Sequence, residues 1–289
     1  MVENTKYRVI DLTPDDDEAM KPSELIQSTG HSSLSLYARR AITVLWHNAH
    51  AQGVEKGRIY SIELARLRSG SHRGLKPLEE AIESLMTTIL VTRLGDGTIR
   101  RVQFLGGNDM VDSDRPSGIL RYSFDPMLIE ILRDSSVWGR IALPILMSFS
   151  SKYSISLYER ICQFDGLSHK TYIEYTLEEM RDALGVEGGK YSSFGDLNKN
   201  VLKPAVDEIN ALARFNLTAI PVKEARRVVA IRVAWWPKSE DELKGAFKEA
   251  NASKVGRRAR ITGRVEHVEP VASISTRERR EQLSLIEDD

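Results

Sequence analysis

The chain has 289 residues, in which 41 Lys plus Arg balance 41 Asp plus Glu. It is 41% hydrophobic and 28% charged, an ordinary globular composition with apolar material for two modest cores. The single cysteine, Cys162, excludes an intramolecular disulfide and a cysteine-rich zinc site, and no run approaches the ~20 apolar residues of a membrane span. Met1 to Gly30 lacks the basic flank and apolar core of a signal peptide. Zero net charge leaves nucleic acid open as a partner, provided the basic surface is local.

Residues 1–30 read as a disordered acidic tail, because residues 1–24 carry seven acids against three bases and few core-forming side chains. Two folded units are expected, 31–136 and 137–240, followed by a flexible tail over 241–289 in which Ser239 to Lys248 could add one helix. In the first unit, apolar spacing predicts a helix from Leu34 to His50. Ser61 to Arg68 reads as a short helix with Ser61 as its cap, and Leu75 to Thr88 as a third helix with Pro77 in its first turn. Ile89–Leu94 and Ile99–Phe104 flank Gly95-Asp96-Gly97 and read as a β-hairpin; Ile119–Phe124 reads as a further strand.

The second unit repeats the plan. A long helix is expected from about Ile141 to Phe164. Thr176-Leu177-Glu178-Glu179 is a capping box that opens a short helix to Leu184. Ser193 caps a helix through Leu212, in which Pro204 should produce a kink or mark the true first turn. Leu217–Val222 and Arg227–Trp235 form the hairpin. The duplication shows in the residues. Leu75-Lys76-Pro77 with Ile82 and Leu85 matches Leu202-Lys203-Pro204 with Ile209 and Leu212, and Ser35-Leu36-Tyr37-Ala38-Arg39 matches Ser156-Leu157-Tyr158-Glu159-Arg160.

Helix, short helix, third helix and hairpin, twice over, is an α+β chain of two tandem winged-helix domains. In that fold the third helix enters the DNA major groove and the hairpin touches the backbone. The charge agrees. Residues 190–232 hold eight bases against four acids, and residues 52–76 hold Lys56, Arg58, Arg66, Arg68, Arg73 and Lys76 against Glu55 and Glu63. In the second unit Lys190, Lys199, Lys203, Arg226, Arg227 and Arg232 flank the third helix and hairpin, while Asn198 and Asn200 are of the type that reads adenine edges.

Ser150-Ser151-Lys152-Tyr153-Ser154-Ile155-Ser156-Leu157-Tyr158-Glu159, then Leu177-Glu178-Glu179-Met180-Arg181, Lys190-Tyr191-Ser192-Ser193-Phe194-Gly195-Asp196-Leu197 and Val201 through Asn210, resemble the iteron-type plasmid replication initiators. The resemblance spans about 34–237 and is more specific in the second unit. It implies a bacterial cytoplasmic protein that binds direct repeats at a plasmid origin as a monomer and promotes opening of an adjacent AT-rich region. It also implies a dimer, formed through the first unit, that binds an inverted repeat and represses its own gene. Base reading would fall to Asn198, Lys199, Asn200 and Lys203, with Lys190, Tyr191 and Ser192 at the start of that helix. Arg68, Ser71, His72, Arg73 and Lys76 would be the first unit's contacts. Host partners would be the replicative helicase and the chromosomal initiator. In the tail, Gln282-Leu283-Ser284-Leu285-Ile286 resembles the short peptide by which bacterial replication proteins bind the sliding clamp.

No catalytic constellation, cofactor or metal site is expected. His47 and His50 sit at helical spacing with no third ligand, and Cys162 lies on an apolar helix as a core filler. Gly188-Gly189-Lys190 lacks the first glycine of a P-loop. Three readings compete: a tandem winged-helix transcription regulator; a pure interaction scaffold, which should show no salt-dependent DNA binding; and, in another class, a rolling-circle nicking enzyme. The last would need a strand with paired histidines and a catalytic tyrosine. Tyr37 and Tyr158 match each other in the repeat, which points to packing.

Overall fold

The computed structural model describes residues 15–68, 75–94, 96–110, 118–133, 135–164 and 170–263. The chain starts with strand β1 (Glu18–Pro22) and helix α1 (Ser23–Gln27). Helix α2 (Leu36–Gln52) follows, capped by the Ser35 hydroxyl, which accepts from the Ala38 N–H. It is buried almost all round from Tyr37 to Ala49, because it packs on the first domain's α4 and on the second domain's α7. Strand β2 (Tyr60–Glu63), α3 (Leu64–Leu67) and α4 (Lys76–Thr87) come next, and Pro77 sits in the first turn of α4 as expected. Then come the hairpin β3 (Ile89–Arg93) and β4 (Ile99–Gln103), strands β5 (Leu105–Met110) and β6 (Ile119–Phe124), and α5 (Pro126–Arg133).

The second half has β7 (Trp138–Ala142), α6 (Leu143–Ser148), α7 (Lys152–Cys162), β8 (Tyr172–Thr176) and α8 (Leu177–Leu184). Short helix α9 (Phe194–Leu197) runs through a π turn (Asn198–Leu202) into α10 (Lys203–Leu212). Long strands β9 (Phe215–Glu224) and β10 (Arg227–Pro237) form a hairpin, and α11 (Glu240–Asn251) and α12 (Arg257–Ile261) end the described chain. The described residues fall into two bodies, one ending at Asn251 and one beginning at Ala252.

The duplication is visible in sheet order. The first domain has β2-β6-β5 and the second has β8-β10-β9, all antiparallel. Each sheet is a short strand before the helical pair plus a following hairpin, the winged-helix arrangement. Each domain has its own core. Trp46, Tyr60, Leu78, Leu85, Tyr122 and Phe124 belong to the first, and Phe149, Tyr158, Met180, Leu202, Ile209 and Phe215 to the second. Tyr37, Tyr158 and Cys162 are buried, as packing residues should be.

Several expectations are corrected. The stretch from Glu18 to Gly30 is not a disordered tail, because Glu18–Pro22 pairs with Trp138–Ala142 and α1 follows. Ala19 is fully buried in the second core, and Leu25 in the first. Nor do the residues just past 241 form a flexible tail. Helix α11 lies on α10, with Ala246 buried. Ser61 does not cap a helix; it lies in β2, where Tyr60 and Ile62 point inward and Ser61 and Glu63 outward, the period-two pattern of a half-buried strand.

The single long helix over Ile141 to Phe164 is instead a strand and two helices. Gly139 and Ile141 alternate inward in β7, and Ser151 restarts the chain as the N-cap of α7. Ser35 and Ser151 are therefore the equivalent caps, and Ser156, matched to Ser35 in sequence, lies inside α7. Finally, β3–β4 is not the first domain's wing. It is a separate two-stranded ribbon inserted before the true wing, β5–β6.

Candidate nucleic-acid interface

The capping box of α8 forms as its residues require. Thr176 Oγ accepts from the Glu179 N–H, and Glu179 reaches back to the Thr176 N–H. Gly185 ends the helix at φ +65°, a conformation that suits glycine. The following turn carries Lys190, Tyr191 and Ser192. Arg181, from α8, braces it by donating to the Lys190 carbonyl at 3.2 Å and the Ser192 carbonyl at 2.9 Å. Tyr191 holds φ +52°, in the left-handed region, and its ring is packed on the second core. Sequence reasoning passed over Arg181 as a structural group. Nothing in its spacing marks a bond to carbonyls nine and eleven residues on.

Lys190 is exposed and lies 2.8 Å from the Glu187 carboxylate. That hydrogen bond raises the ammonium's pKa and holds the Glu187 carboxyl below its usual range. Glu187 also faces Lys152 at 3.5 Å, and Lys152 donates to the Ser32 carbonyl of the first domain at 2.7 Å. Burial lowers the Lys152 ammonium. One carboxylate thus ties the turn to the junction between the domains.

Ser193 caps α9, accepting from the Asp196 N–H at 3.1 Å and donating to the Asp196 carboxylate at 2.8 Å. Pro204 has no N–H to offer the Asn200 carbonyl. The helix widens just before it, and in the π turn the Lys203 N–H reaches the Asn198 carbonyl. Pro204 therefore does not end the helix, which continues to Leu212. Asp196, Lys199, Asn200 and Lys203 are exposed and three to four positions apart, so they share one face. Asn198 is half-buried and lies off that strip. Asn200 donates through its side-chain amide to the Asp196 carbonyl at 2.9 Å, and Lys203 pairs with Asp207 at 3.2 Å. At the wing tip Ala225, at φ +51°, and Arg226 form the turn, and Arg226 and Arg227 are exposed with Lys223 beside them. Arg232 is spent within the sheet, donating to Glu174 at 2.7 Å and covering the Tyr172 ring.

The structure thus gathers Lys190, Ser192, Lys199, Asn200, Lys203, Arg226 and Arg227 as exposed groups of one helix, its leading turn and one wing. In the first domain Arg68 is half-buried at the end of α3 and Lys76 is exposed at the start of α4. Ser71, His72 and Arg73 lie outside the described residues, as does the peptide Gln282 to Ile286. Past Lys76 the exposed positions of α4 are Glu79, Glu80, Glu83 and Thr87; the first three align with Val206, Asp207 and Asn210 of α10, so this stretch is more acidic in the first domain.

Among the described residues no group of His, Cys, Asp and Glu could hold a metal ion, and no helix is long and apolar enough to cross a membrane. His47 is buried, and His50 stacks on Trp46 at 6.1 Å and lies 5.7 Å from Trp138.

Comparison with known proteins gives two family matches. The profile described as "Initiator Replication protein, WH1" covers residues 18–162, and "Initiator Rep protein, WH2" covers 176–235. No curated protein matches the chain. Among solved structures, the Pi initiator protein in complex with iteron DNA aligns at a TM-score of 0.57 and 18% identity, over 80% of this chain and 100% of that one. Domains 2 and 3 of RctB align at 0.43 and 14% identity, over 74% and 81%. The Pi likeness concerns the fold.

Proposed function

The chain belongs to the initiator replication protein family, and from that premise we propose that it starts replication of a plasmid by binding direct repeats at the origin. The observation that carries this reading is the exposed strip Asp196, Lys199, Asn200 and Lys203, flanked by the Lys190 turn and by Arg226 and Arg227 at the wing tip. Its chemistry is that of double-stranded DNA. Lysines and arginines neutralise phosphates and set position, whereas an amide one helical turn from a carboxylate reads base edges. The related Pi protein is described on iteron DNA, which favours the same ligand here. The second domain takes the base-reading role, and the first adds backbone contacts through Arg68, Arg73 and Lys76. The chain acts through binding energy and not as an enzyme.

In this reading the monomer occupies direct repeats and promotes strand opening. A dimer joined through the first domain presents two second domains with two-fold symmetry, prefers an inverted repeat, and represses the gene. The host helicase, the chromosomal initiator and, through Gln282 to Ile286, the sliding clamp are its partners in the bacterial cytoplasm. The test is replication itself. A plasmid carrying the origin, with the chain supplied in trans, should be maintained, and permanganate should mark unpaired thymines beside the repeats. Binding without opening or maintenance would leave a transcription regulator instead.

A further inference from the structure

The first domain carries a trough of about 920 Å³ between α4 and the β5–β6 wing. Along one side run Glu79, Ile82, Glu83 and Met86, at the i, i+3, i+4 and i+7 positions of α4; the other side is Asp109, Met110, Ile119 and Arg121. Ile119 is 51% exposed although it faces this apolar floor. The rim is acidic. Glu79 and Glu83 line the helix side and Asp109 the strand side, where Arg121 lies directly across from it in the β5–β6 register; among the described residues none of the four forms an ion pair.

The second domain shows how the duplicated fold treats the corresponding place. There, α10 and β9 take the positions of α4 and β5, and α11 lies against α10. Ala246 of α11 is buried, Ala250 packs on the core, and Glu242 accepts from Asn216 of β9 at 2.9 Å. A helix covers that site in the second domain. Among the described residues no helix covers it in the first.

We propose that the α4–β5 trough is a docking site for a basic, amphipathic helix of a partner protein. The apolar floor takes one face of such a helix, in the i, i+3, i+4, i+7 mode of helix-in-groove recognition. Glu79, Glu83 and Asp109 take Lys or Arg on its flanks. The same carboxylates repel phosphate, so this face of the first domain is not a second DNA reader. Charge argues against a second copy's α11 as occupant, since its first turn is Glu240, Asp241 and Glu242. The inference does not depend on origin binding.

The test is a displayed library of helical peptides about 16 residues long, roughly four turns, with Lys or Arg fixed on both flanks and the apolar face varied. It is selected on the full chain and counter-selected on Glu79→Gln/Glu83→Gln. Glu79 and Glu83 are on the rim and Ile119 is half exposed, so folding, checked by circular dichroism, should be unchanged. Enriched peptides should bind the wild type in anisotropy, weaken roughly tenfold on Glu79→Gln/Glu83→Gln and again on Ile119→Ser, and weaken with added salt. The proposal is overturned if no peptide is enriched on the wild type over the variant. It is equally overturned if the variant changes the chain's own association state in sedimentation, which would make the trough a contact between copies.

Discussion

Lys21 Nζ lies 2.7 Å from a carboxylate oxygen of Glu159, with both side chains buried and the Thr43 hydroxyl donating to the same oxygen at 2.9 Å. Lys21 comes from β1, Thr43 from α2 and Glu159 from α7, so three distant segments meet at one charge. This pair sits where the two winged helices join, beside Arg39, which donates to Ser156 and, at 3.1 Å, to the His31 carbonyl. Breaking one partner leaves a buried charge uncompensated, which costs about 3–5 kcal/mol. Glu159→Gln should therefore lower the urea midpoint sharply. Lys21→Met/Glu159→Leu, which removes both charges, should recover most of the loss. Equal damage from the single and double variants would contradict the account.

Gly185 ends α8 at φ +65°, and an added Cβ would meet Arg39 Nη2 and lie 3.2 Å from His31 Cδ2. Gly185→Ala should cost about 1–3 kcal/mol, from the left-handed backbone and the displaced Arg39 together. Thermal unfolding reads it. A change within about 0.5 kcal/mol would mean that the junction yields freely.

Burial, followed by the charges of Arg39, Arg160, Lys21 and Lys152, holds the His31 pKa well below 6.5. His47 and His50 are also lowered, first by burial. A lowered histidine is neutral in the folded chain, while the unfolded chain takes up a proton near 6.5. Stability should thus be level above pH 6.5 and fall below it, by at most about 1.4 kcal/mol per pH unit for each such histidine. His31→Asn should shallow that slope in denaturant titrations from pH 7 to pH 5. A slope unchanged by the substitution would remove His31 from the explanation.

Arg181 holds the Lys190 and Ser192 carbonyls and so sets the turn that leads into α9 and α10, the helix proposed to read bases. Arg181→Ala should weaken DNA binding about tenfold, the worth of roughly 1.4 kcal/mol, with little loss of global stability. Fluorescence anisotropy beside a melt separates the two. Loss of both in step would make Arg181 a fold residue only.

The second domain was largely legible, because its signals are local. Thr176 to Glu179 and Ser193 to Asp196 bond within their own turns, so their residues suffice to place them. The Leu-Lys-Pro match marks α4 and α10 for the same reason. What escaped depends on distant chain. Glu18–Pro22 is a strand only because Trp138–Ala142 lies beside it, and its acids read as a tail.

The first wing was misplaced because Asp96-Gly97 gives a strong turn signal to the inserted ribbon. The true wing strand, Leu105-Gly-Gly-Asn-Asp-Met, has little strand propensity of its own. Lys199, Asn200 and Lys203 suggest themselves by type and position, and all three are exposed on one strip. Asn198 fits by type alone; it is half-buried, and its neighbours Lys199 and Asn200 take the outward positions. Glu80 is matched by Asp207, whereas Glu79 and Glu83 align with Val206 and Asn210, so the acidic excess of α4 lies where the two matched helices differ.

The central claim is that the second domain reads bases. It is tested most directly by a salt-series gel shift on the plasmid's direct repeat and on a scrambled repeat, comparing wild type with Lys199→Ala and Asn200→Ala. Wild type should prefer the true repeat. Asn200→Ala should relax that preference by about 1–3 kcal/mol, and Lys199→Ala should weaken both DNAs alike and lower the salt slope by about one. If neither substitution alters preference or slope, the base-reading surface lies elsewhere and the account is wrong.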